Sequence, residues 1–267
     1  MPYPLPVERR TDLSAQEFTR DYALPNRPVV LEGLARDWPA STRWTPEFFA
    51  ERYGHLRVTV SRAARSTELP VRMSMAEYVR TMRTTTDPRP WYLTSWDFTV
   101  ECPELRQDFR LPDYFSDDLL AELPRSIRPR LLWIFMGPPG SGFRMHVDVG
   151  MTSAWNAQLS GRKDWILLAP DEGDRVYNGK VDGFQPDLGR FPRYAQARPY
   201  TATLEPGDVI FTPSGWWHQT RILETSVSVT GNYANRTNLD RVLAWLRERP
   251  DMADLAERLG DLARGRA

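Results

Sequence analysis

Between residues 91 and 235 the sequence consists of short apolar or alternating runs, and this succession limits the possible folds more than any other feature. Pro, Gly, Asn and Asp bound the runs, as at residues 137–140 and 205–208. No helical pattern lies between them, and short strands at such spacing are typical of a sandwich or barrel. We therefore predict a mainly β protein. The runs are, in chain order, WYLTSW, LLWIFMGP, SAWNAQLSG, DWILLAP, DVIFTPSG and TSVSVTGNY.

The region before these runs combines helix and strand signals. Ser14 and Ser74 each precede a glutamate by three residues, which is the capping-box spacing, so each predicts a helix start. Thr45 followed by Pro46 predicts a third helix start. The runs RPVVLEGL and LRVTVSR are rich in β-branched residues and predict strands between these helices. We expect this α/β region to pack on the β core.

After residue 236 the pattern becomes helical again. Apolar residues recur at positions i, i+3, i+4 and i+7, which places them on one face of a helix. The two stripes are Leu239, Val242, Leu243 and Leu246, and then Met252, Leu255, Leu259 and Leu262. This tail is expected to pack on the β core or on a second copy of the protein. The predicted organisation is one structural domain with an N-terminal region (1–90), a β core (91–236) and a helical tail (237–267).

Charge and cysteine content exclude several functional classes. Thirty-five basic residues balance thirty-five acidic ones, so a general nucleic-acid or membrane-surface binder is not expected. Cys102 is the single cysteine, which excludes an intramolecular disulfide and a cysteine-cluster metal site. The first twelve residues have no apolar signal-peptide core, and no long uncharged apolar run follows. We expect a cytoplasmic protein without a membrane span.

The segment from residue 171 to residue 200 is the longest weakly patterned stretch of the chain. A connection of this length inside a compact domain is usually functional, as a lid or a binding loop. A surface excursion without function is an equally acceptable interpretation. The sequence leaves both open.

A possible metal site begins with His146 and Asp148. On a β-strand, residues i and i+2 point to the same face, so both side chains could meet one metal ion. A hydrogen-bonded pair at a strand end is the plain alternative. His218, which ends the run EPGDVIFTPSGWWH, could lie opposite this pair on a second antiparallel strand. Two histidines and one carboxylate form the facial site that binds Fe(II) and leaves coordination positions open.

The sequence around these three residues resembles the jumonji-C oxygenases. The stretches that carry the resemblance are IFMGPPGSGFRMHVDVGMTSAWNAQLSGRKDWILLAP, PGDVIFTPSGWWH and TSVSVTGNYANRTN, with WYLTSWDF and DYFSDDLL upstream. They cover roughly residues 90–238, and residues 27–49 are similar to the usual lead-in of such domains. Within the family, the sequence looks most like the lysyl hydroxylases first described as a phosphatidylserine receptor.

The resemblance implies a double-stranded β-helix, a jelly-roll, cupin-like barrel, that uses Fe(II), 2-oxoglutarate and dioxygen. His146, Asp148 and His218 match the family's iron ligands. The positions that match residues binding 2-oxoglutarate are Lys163, Tyr92, Thr230, Asn156 and Asn232. A buried dicarboxylate needs a cation and hydroxyl donors, so these residue types suit the role. For Lys163, an exposed lysine in a turn is the alternative.

One position departs from the family pattern. Phe143 stands three residues before His146, where relatives typically carry Thr or Ser. A phenyl ring is larger and cannot donate a hydrogen bond, so it either narrows the pocket or changes how a ligand sits there.

The implied reaction is hydroxylation of an unactivated carbon with release of succinate and CO2. The expected substrate is an amino-acid side chain, lysine-like, in a peptide, a protein or a small molecule, and demethylation stays open because it uses the same hydroxylation. The resemblance also implies a homodimer formed through the C-terminal helices.

Two other functions are weighed against this one. A non-oxidative metal-binding cupin would hold the metal but would need no cation for 2-oxoglutarate, and a catalytically silent binding module would be expected to have lost a metal ligand.

Overall fold

The computed structural model describes residues 3–62 and 69–265. Its strands are β1 (Leu5–Pro6), β2 (Arg9–Arg10), β3 (Val29–Leu31), β4 (Arg57–Ser61), β5 (Val71–Ser74), β6 (Tyr92–Trp96), β7 (Leu132–Gly137), β8 (Ser153–Ser160), β9 (Lys163–Leu168), β10 (Tyr200–Leu204), β11 (Val209–Thr212), β12 (Trp217–Ile222) and β13 (Ser226–Tyr233). Its α-helices are α1 (Ala15–Phe18), α2 (Pro39–Arg43), α3 (Pro46–Tyr53), α4 (Met75–Thr84), α5 (Phe98–Glu101), α6 (Leu239–Arg247) and α7 (Ala253–Gly265).

Short helical turns complete the secondary structure. A π-helical turn follows α1, and the remaining turns are of the 3₁₀ type. These segments are Thr19–Ala23, Pro103–Asp108, Asp113–Phe115, Leu119–Glu122, Val149–Met151, Pro170–Glu172, Pro192–Gln196 and Pro250–Met252.

The strands form two sheets. The larger sheet has the order β2-β3-β11-β8-β13-β7-β6-β4-β5, and the smaller has the order β1-β10-β9-β12. From β8 onward the chain passes repeatedly between the sheets, as in a jelly-roll. Each of the six predicted runs contains a strand, so the mainly β, cupin-like fold predicted from the sequence is confirmed. Strands β10 and β12 were not among the predicted runs, and the expectation of no helix between the runs was wrong, because α5 and three 3₁₀ turns lie between β6 and β7.

The N-terminal region forms as its capping residues indicate. Ser14 and Glu17 make both halves of the capping box, and the Thr45 side chain accepts the Phe48 N–H at the start of α3. Strand β3 pairs with β11 and so extends the larger sheet. Buried side chains of this region, such as Trp44, share one apolar cluster with Trp155 of β8. The division into three regions stays a prediction.

The C-terminal helices bury much of their apolar stripes within the chain. Leu243 and Leu246 of α6 and Leu259 of α7 belong to one cluster with Leu119 and Leu120 of the Leu119–Glu122 turn. The helices were predicted to pack on the same chain or on a second copy, and a large part of their apolar surface packs on the same chain. Leu255 and Leu262 are only partly buried against the cluster.

The weakly patterned segment 171–200 covers the outer face of the smaller sheet. Its Val176 and Tyr194 pack in one cluster with Ile166 of β9. The Gln219 side chain of β12 donates to Asp182 Oδ1 and accepts the Gly183 N–H. The segment is thus packed and hydrogen-bonded to the strand that carries His218, and its role as a lid stays a prediction. Among residues 3–62 and 69–265, no helix is long and apolar enough to cross a membrane.

Candidate active site

A cavity of about 700 Å³ opens between the two sheets. Its walls come from strands of both sheets, from the segment that carries His146 and from helix α6. All eight residues predicted for the site line it: Tyr92, His146, Asp148, Asn156, Lys163, His218, Thr230 and Asn232. Residues distant in sequence therefore meet at one cavity.

An antiparallel bridge places the two histidines opposite each other. His146 N–H donates to the His218 carbonyl oxygen (2.9 Å), and His218 N–H donates to that of His146 (2.8 Å). The next hydrogen bond between the two segments is from Thr220 N–H to Phe143 O. Three residue steps, from His146 back to Phe143, therefore lie opposite two steps, from His218 to Thr220. Such an extra residue re-aims the side chains that follow it. The predicted meeting of His146 and His218 on antiparallel segments is confirmed.

Backbone carbonyls fix the tautomer of both rings. His146 Nδ1 lies 2.7 Å from Arg144 O, and His218 Nδ1 lies 3.1 Å from Trp216 O. Because a carbonyl oxygen only accepts, each Nδ1 must carry the ring proton. The lone pair of each ring is then on Nε2, the arrangement that metal-binding histidines adopt.

Asp148 completes a set of ligand atoms that suits a divalent metal. One ligand atom from each of His146, Asp148 and His218 lies within 4.8 Å of the other two, and Asp148 Oδ2 is 3.9 Å from His218 Nε2. Asp148 follows the bridge on an extended segment rather than on a ladder strand. Its Oδ2 is buried and accepts no hydrogen bond from any residue in 3–62 or 69–265. A buried, unpaired carboxylate oxygen is costly, and a metal ion would satisfy it.

Lys163 is a buried cation at the start of β9. The residue is 2% exposed, so the alternative of an exposed lysine in a turn is wrong. Its Nζ donates to Ser228 Oγ at 2.6 Å, and no carboxylate within the described ranges pairs with it. Burial lowers the pKa of Lys163 to about 7. A desolvated ammonium without a counter-ion fits a ligand that brings a carboxylate into the cavity.

The remaining predicted residues lie on the larger sheet. Asn156 of β8 is paired with Thr230 of β13, and the Asn156 side-chain oxygen is buried without a hydrogen bond from the described residues. Thr230 Oγ1 donates to Trp155 O at 2.6 Å, and Asn232 Nδ2 donates to a threonine hydroxyl. Burial raises the pKa of Tyr92 far above its ordinary value, so this phenol stays protonated and can donate.

Phe143 forms part of the cavity wall beside the histidines. Its ring centroid is 4.3 Å from that of His146, and its backbone N–H donates to Thr220 Oγ1 at 3.0 Å. The ring therefore occupies space next to the metal ligands, and its effect on the pocket or on a bound ligand stays a prediction.

Several cavity residues were not predicted from the sequence. Trp133, Thr220 and Trp245 line the cavity, as does Ser95 at an irregular point of β6 where its φ is +53°. Thr220 could have been found, because it is two residues after His218 and alternation puts it on the same face. Trp245 gave no such signal, since the tail showed only a helical packing pattern.

Two facing sheets, a 2-His-1-carboxylate set and a buried lysine in one cavity define a metal-binding protein of the cupin class. A family profile described as a cupin-like domain matches residues 14–238. The chain belongs to this family, and the resemblance to its jumonji-C members is confirmed.

Comparison with known proteins gives relatives that are named as oxygenases and demethylases. The chain is 37% identical over 245 residues to lysine-specific demethylase JMJ21 of Arabidopsis thaliana, covering 87% of this chain and 26% of that protein. It is 32% identical to the bifunctional arginine demethylase and lysyl-hydroxylase psr-1 of Caenorhabditis briggsae, covering 90% and 64%. It is 28% identical to the 2-oxoglutarate and iron-dependent oxygenase JMJD4 of Gallus gallus, covering 91% and 63%. The chain thus spans between about a quarter and two thirds of these relatives.

Proposed function

We propose that the protein is an Fe(II)- and 2-oxoglutarate-dependent oxygenase that hydroxylates an amino-acid side chain of a peptide or protein. The observation that carries the proposal is the sharing of one cavity by the metal-ligand set and an unpaired buried cation. A non-oxidative cupin would gain nothing from burying Lys163, and a silent module would not need the ligand set. The relatives' names point in the same direction.

Seven of the eight predicted site residues have a role in this proposal. His146, Asp148 and His218 would hold Fe(II) on one face, and Lys163 would bind the far carboxylate of 2-oxoglutarate. When bound, the iron supplies the oxidising chemistry that couples conversion of 2-oxoglutarate into succinate and CO2 to insertion of oxygen into a C–H bond. Tyr92 donates a hydrogen bond, while Asn156 and Asn232 present polar groups to the cosubstrate.

The chemistry of the cavity walls supports a cationic substrate side chain. Trp133, Trp217 and Trp245 contribute to the cavity lining, and indole rings can pack on the methylene stem and the charged end of a lysine or arginine. Trp245 already accepts a cation, since the guanidinium carbon of Arg249 lies 3.6 Å from its ring centroid. Relatives named as lysine- and arginine-specific enzymes are consistent with this class.

A peptide assay tests the proposed substrate class. Protein reconstituted with Fe(II) is given 2-oxoglutarate, air and peptides that contain lysine, methyl-lysine, arginine or methyl-arginine. We expect one peptide class to gain one oxygen atom or to lose a methyl group, by mass spectrometry, with succinate formed in step. Modification of peptides that lack these side chains, with none of the basic ones altered, would refute the substrate class.

The proposal retains two further predictions from the sequence. Homodimerisation through the C-terminal helices is supported by the partly buried apolar residues of α7. A cytoplasmic location is the second, and it stays an expectation from the sequence. Sedimentation at several protein concentrations tests the dimer, and a single monomeric species throughout would exclude it.

A further inference from the structure

The hydrogen-bond donors of the cavity are not all available to a ligand. Thr230, which the family resemblance assigns to the 2-oxoglutarate carboxylate, gives its single hydroxyl proton to Trp155 O. A carboxylate only accepts hydrogen bonds, so in this arrangement Thr230 has no proton to offer it. Phe143 has no donor in its side chain. In this arrangement positions 143 and 230 therefore supply no hydroxyl donor, and Lys163, Tyr92 and the other hydroxyls of the cavity lining are left to bind a carboxylate.

Thr220 of β12 is one of these hydroxyls. Its Oγ1 accepts the Phe143 N–H at 3.0 Å, and no residue within the described ranges accepts its own hydroxyl proton. The position of the oxygen is thus set by the backbone while the proton stays available. Thr220 is also the one hydroxyl-bearing residue that the smaller sheet contributes to the cavity lining among the described residues.

Backbone packing holds this arrangement in place. Thr220 N–H donates to Phe143 O at 3.0 Å, so residues 143 and 220 are joined by two bonds. A Cβ at Gly142 would overlap the carbonyl oxygen of Thr220, and the glycine therefore allows the segment to lie directly on β12. The hydroxyl is pre-organised by contacts that do not involve a ligand.

The register of the two strands places Thr220 along the path of a bound diacid. Thr220 is opposite Trp165, His218 lies two residues before it, and Lys163 is opposite Ile222, two residues after it. Residues two apart on a strand share a face and are about 6.6 Å apart along it. A five-carbon diacid that runs along this face of the smaller sheet, from the metal ligands toward the lysine, would therefore lie beside Thr220.

We propose that the Thr220 hydroxyl binds the far carboxylate of 2-oxoglutarate together with Lys163, so that β12 supplies the donor that position 143 lacks. This inference rests on the proposed function and adds to it a binding residue on the strand of His218.

The test is a calorimetric titration of ligands into protein loaded with Ni(II), which forms the site without turnover. Thr220→Val removes the hydroxyl at constant shape, and we expect the dissociation constant for 2-oxoglutarate to rise at least tenfold, or about 1.4 kcal/mol. Thr220→Ser keeps the donor and should stay within about threefold of wild type. The matched control is Thr201→Val on β10, whose position is opposite Ile166 and outside the cavity lining.

A second ligand separates a direct contact from a general disturbance. 2-Oxopentanoate has the same chain but lacks the far carboxylate, so Thr220→Val should leave its affinity unchanged. Equal weakening of both ligands, or unchanged 2-oxoglutarate binding, would overturn the inference. If wild-type protein loaded with Ni(II) bound no 2-oxoglutarate at all, the proposed function itself would fail. If the valine variant does not fold, Thr220→Ala also removes the hydroxyl and replaces it in the test.

Discussion

Replacement of Lys163 by methionine should change stability and ligand binding in opposite directions. The lysine is 2% exposed, and burial lowers its pKa from 10.5 to about 7. Between these pH values the unfolded chain holds a proton that the folded chain releases, so the lysine opposes folding there, and stability rises with pH. At pH 7 the shift corresponds to a cost of the order of 4 kcal/mol.

Methionine has a similar volume and no charge, so Lys163→Met removes this cost. It also leaves the Ser228 hydroxyl without its lysine donor, which returns about 1–3 kcal/mol of the gain. We therefore expect the ligand-free variant to melt at least as high as wild type, and roughly 2–10 °C higher at pH 7. Calorimetric scans of metal-free protein measure this difference.

The same variant should bind 2-oxoglutarate far more weakly. Loss of a buried partner for a carboxylate costs about 3–5 kcal/mol, which corresponds to a rise of at least about a hundredfold in the dissociation constant. Titration of Lys163→Met loaded with Ni(II) measures it, and Lys180→Met on the covering segment is the matched control. A variant that was strongly destabilised yet bound 2-oxoglutarate normally would refute this account of Lys163.

Three further results are expected. Because the ligand-free Lys163 has a pKa of about 7 and a bound carboxylate favours its charged form, 2-oxoglutarate affinity of metal-loaded protein should fall roughly tenfold per pH unit above pH 7; affinity independent of pH from 7 to 9 would contradict this. Trp245→Ala should raise KM for a basic peptide about three- to tenfold and leave 2-oxoglutarate binding intact, with Trp245→Phe intermediate. Weaker 2-oxoglutarate binding with an unchanged KM for the peptide would contradict the assignment of Trp245 to the substrate side chain. Cys102 is buried, and burial raises the pKa of its thiol to about 12, so an aromatic disulfide reagent should react only after unfolding; rapid labelling of native protein would count against this packing.

Local rules were sufficient to predict much of the fold. Period-two patterns and turn residues located the strands, and capping residues located the starts of α1, α3 and α4. Strands β10 and β12 were missed: YTATL is short and is preceded by a segment with few turn or strand signals, and WHQTRI carries four polar or charged residues in place of an apolar run. Predictions of this kind depend on residues close in sequence, which is why they succeed for elements and not for the contacts between them.

The metal-ligand part of the candidate site could be predicted because histidine is rare in this chain and is a common metal ligand. The chain has only three histidines, and two of them indicated the ligand set: His146 lies two residues before Asp148, and His218 follows an apolar run. The hydrogen bond that occupies the Thr230 proton, and the extra residue between Phe143 and His146, depend on how separate strands meet. Trp245 reaches the cavity because α6 packs against the Val149–Met151 turn that follows Asp148. Such features follow from tertiary packing rather than from any local pattern.

The most direct test of the central claim measures whether consumption of 2-oxoglutarate is coupled to oxidation of a side chain. Protein is loaded with Fe(II) without oxygen and then exposed to air with 2-oxoglutarate and a responsive basic peptide. We predict one succinate for each peptide modified, and neither product from Asp148→Ala, which lacks a metal ligand. Absence of succinate from wild-type protein that holds one iron per chain, or full activity of Asp148→Ala, would contradict the account.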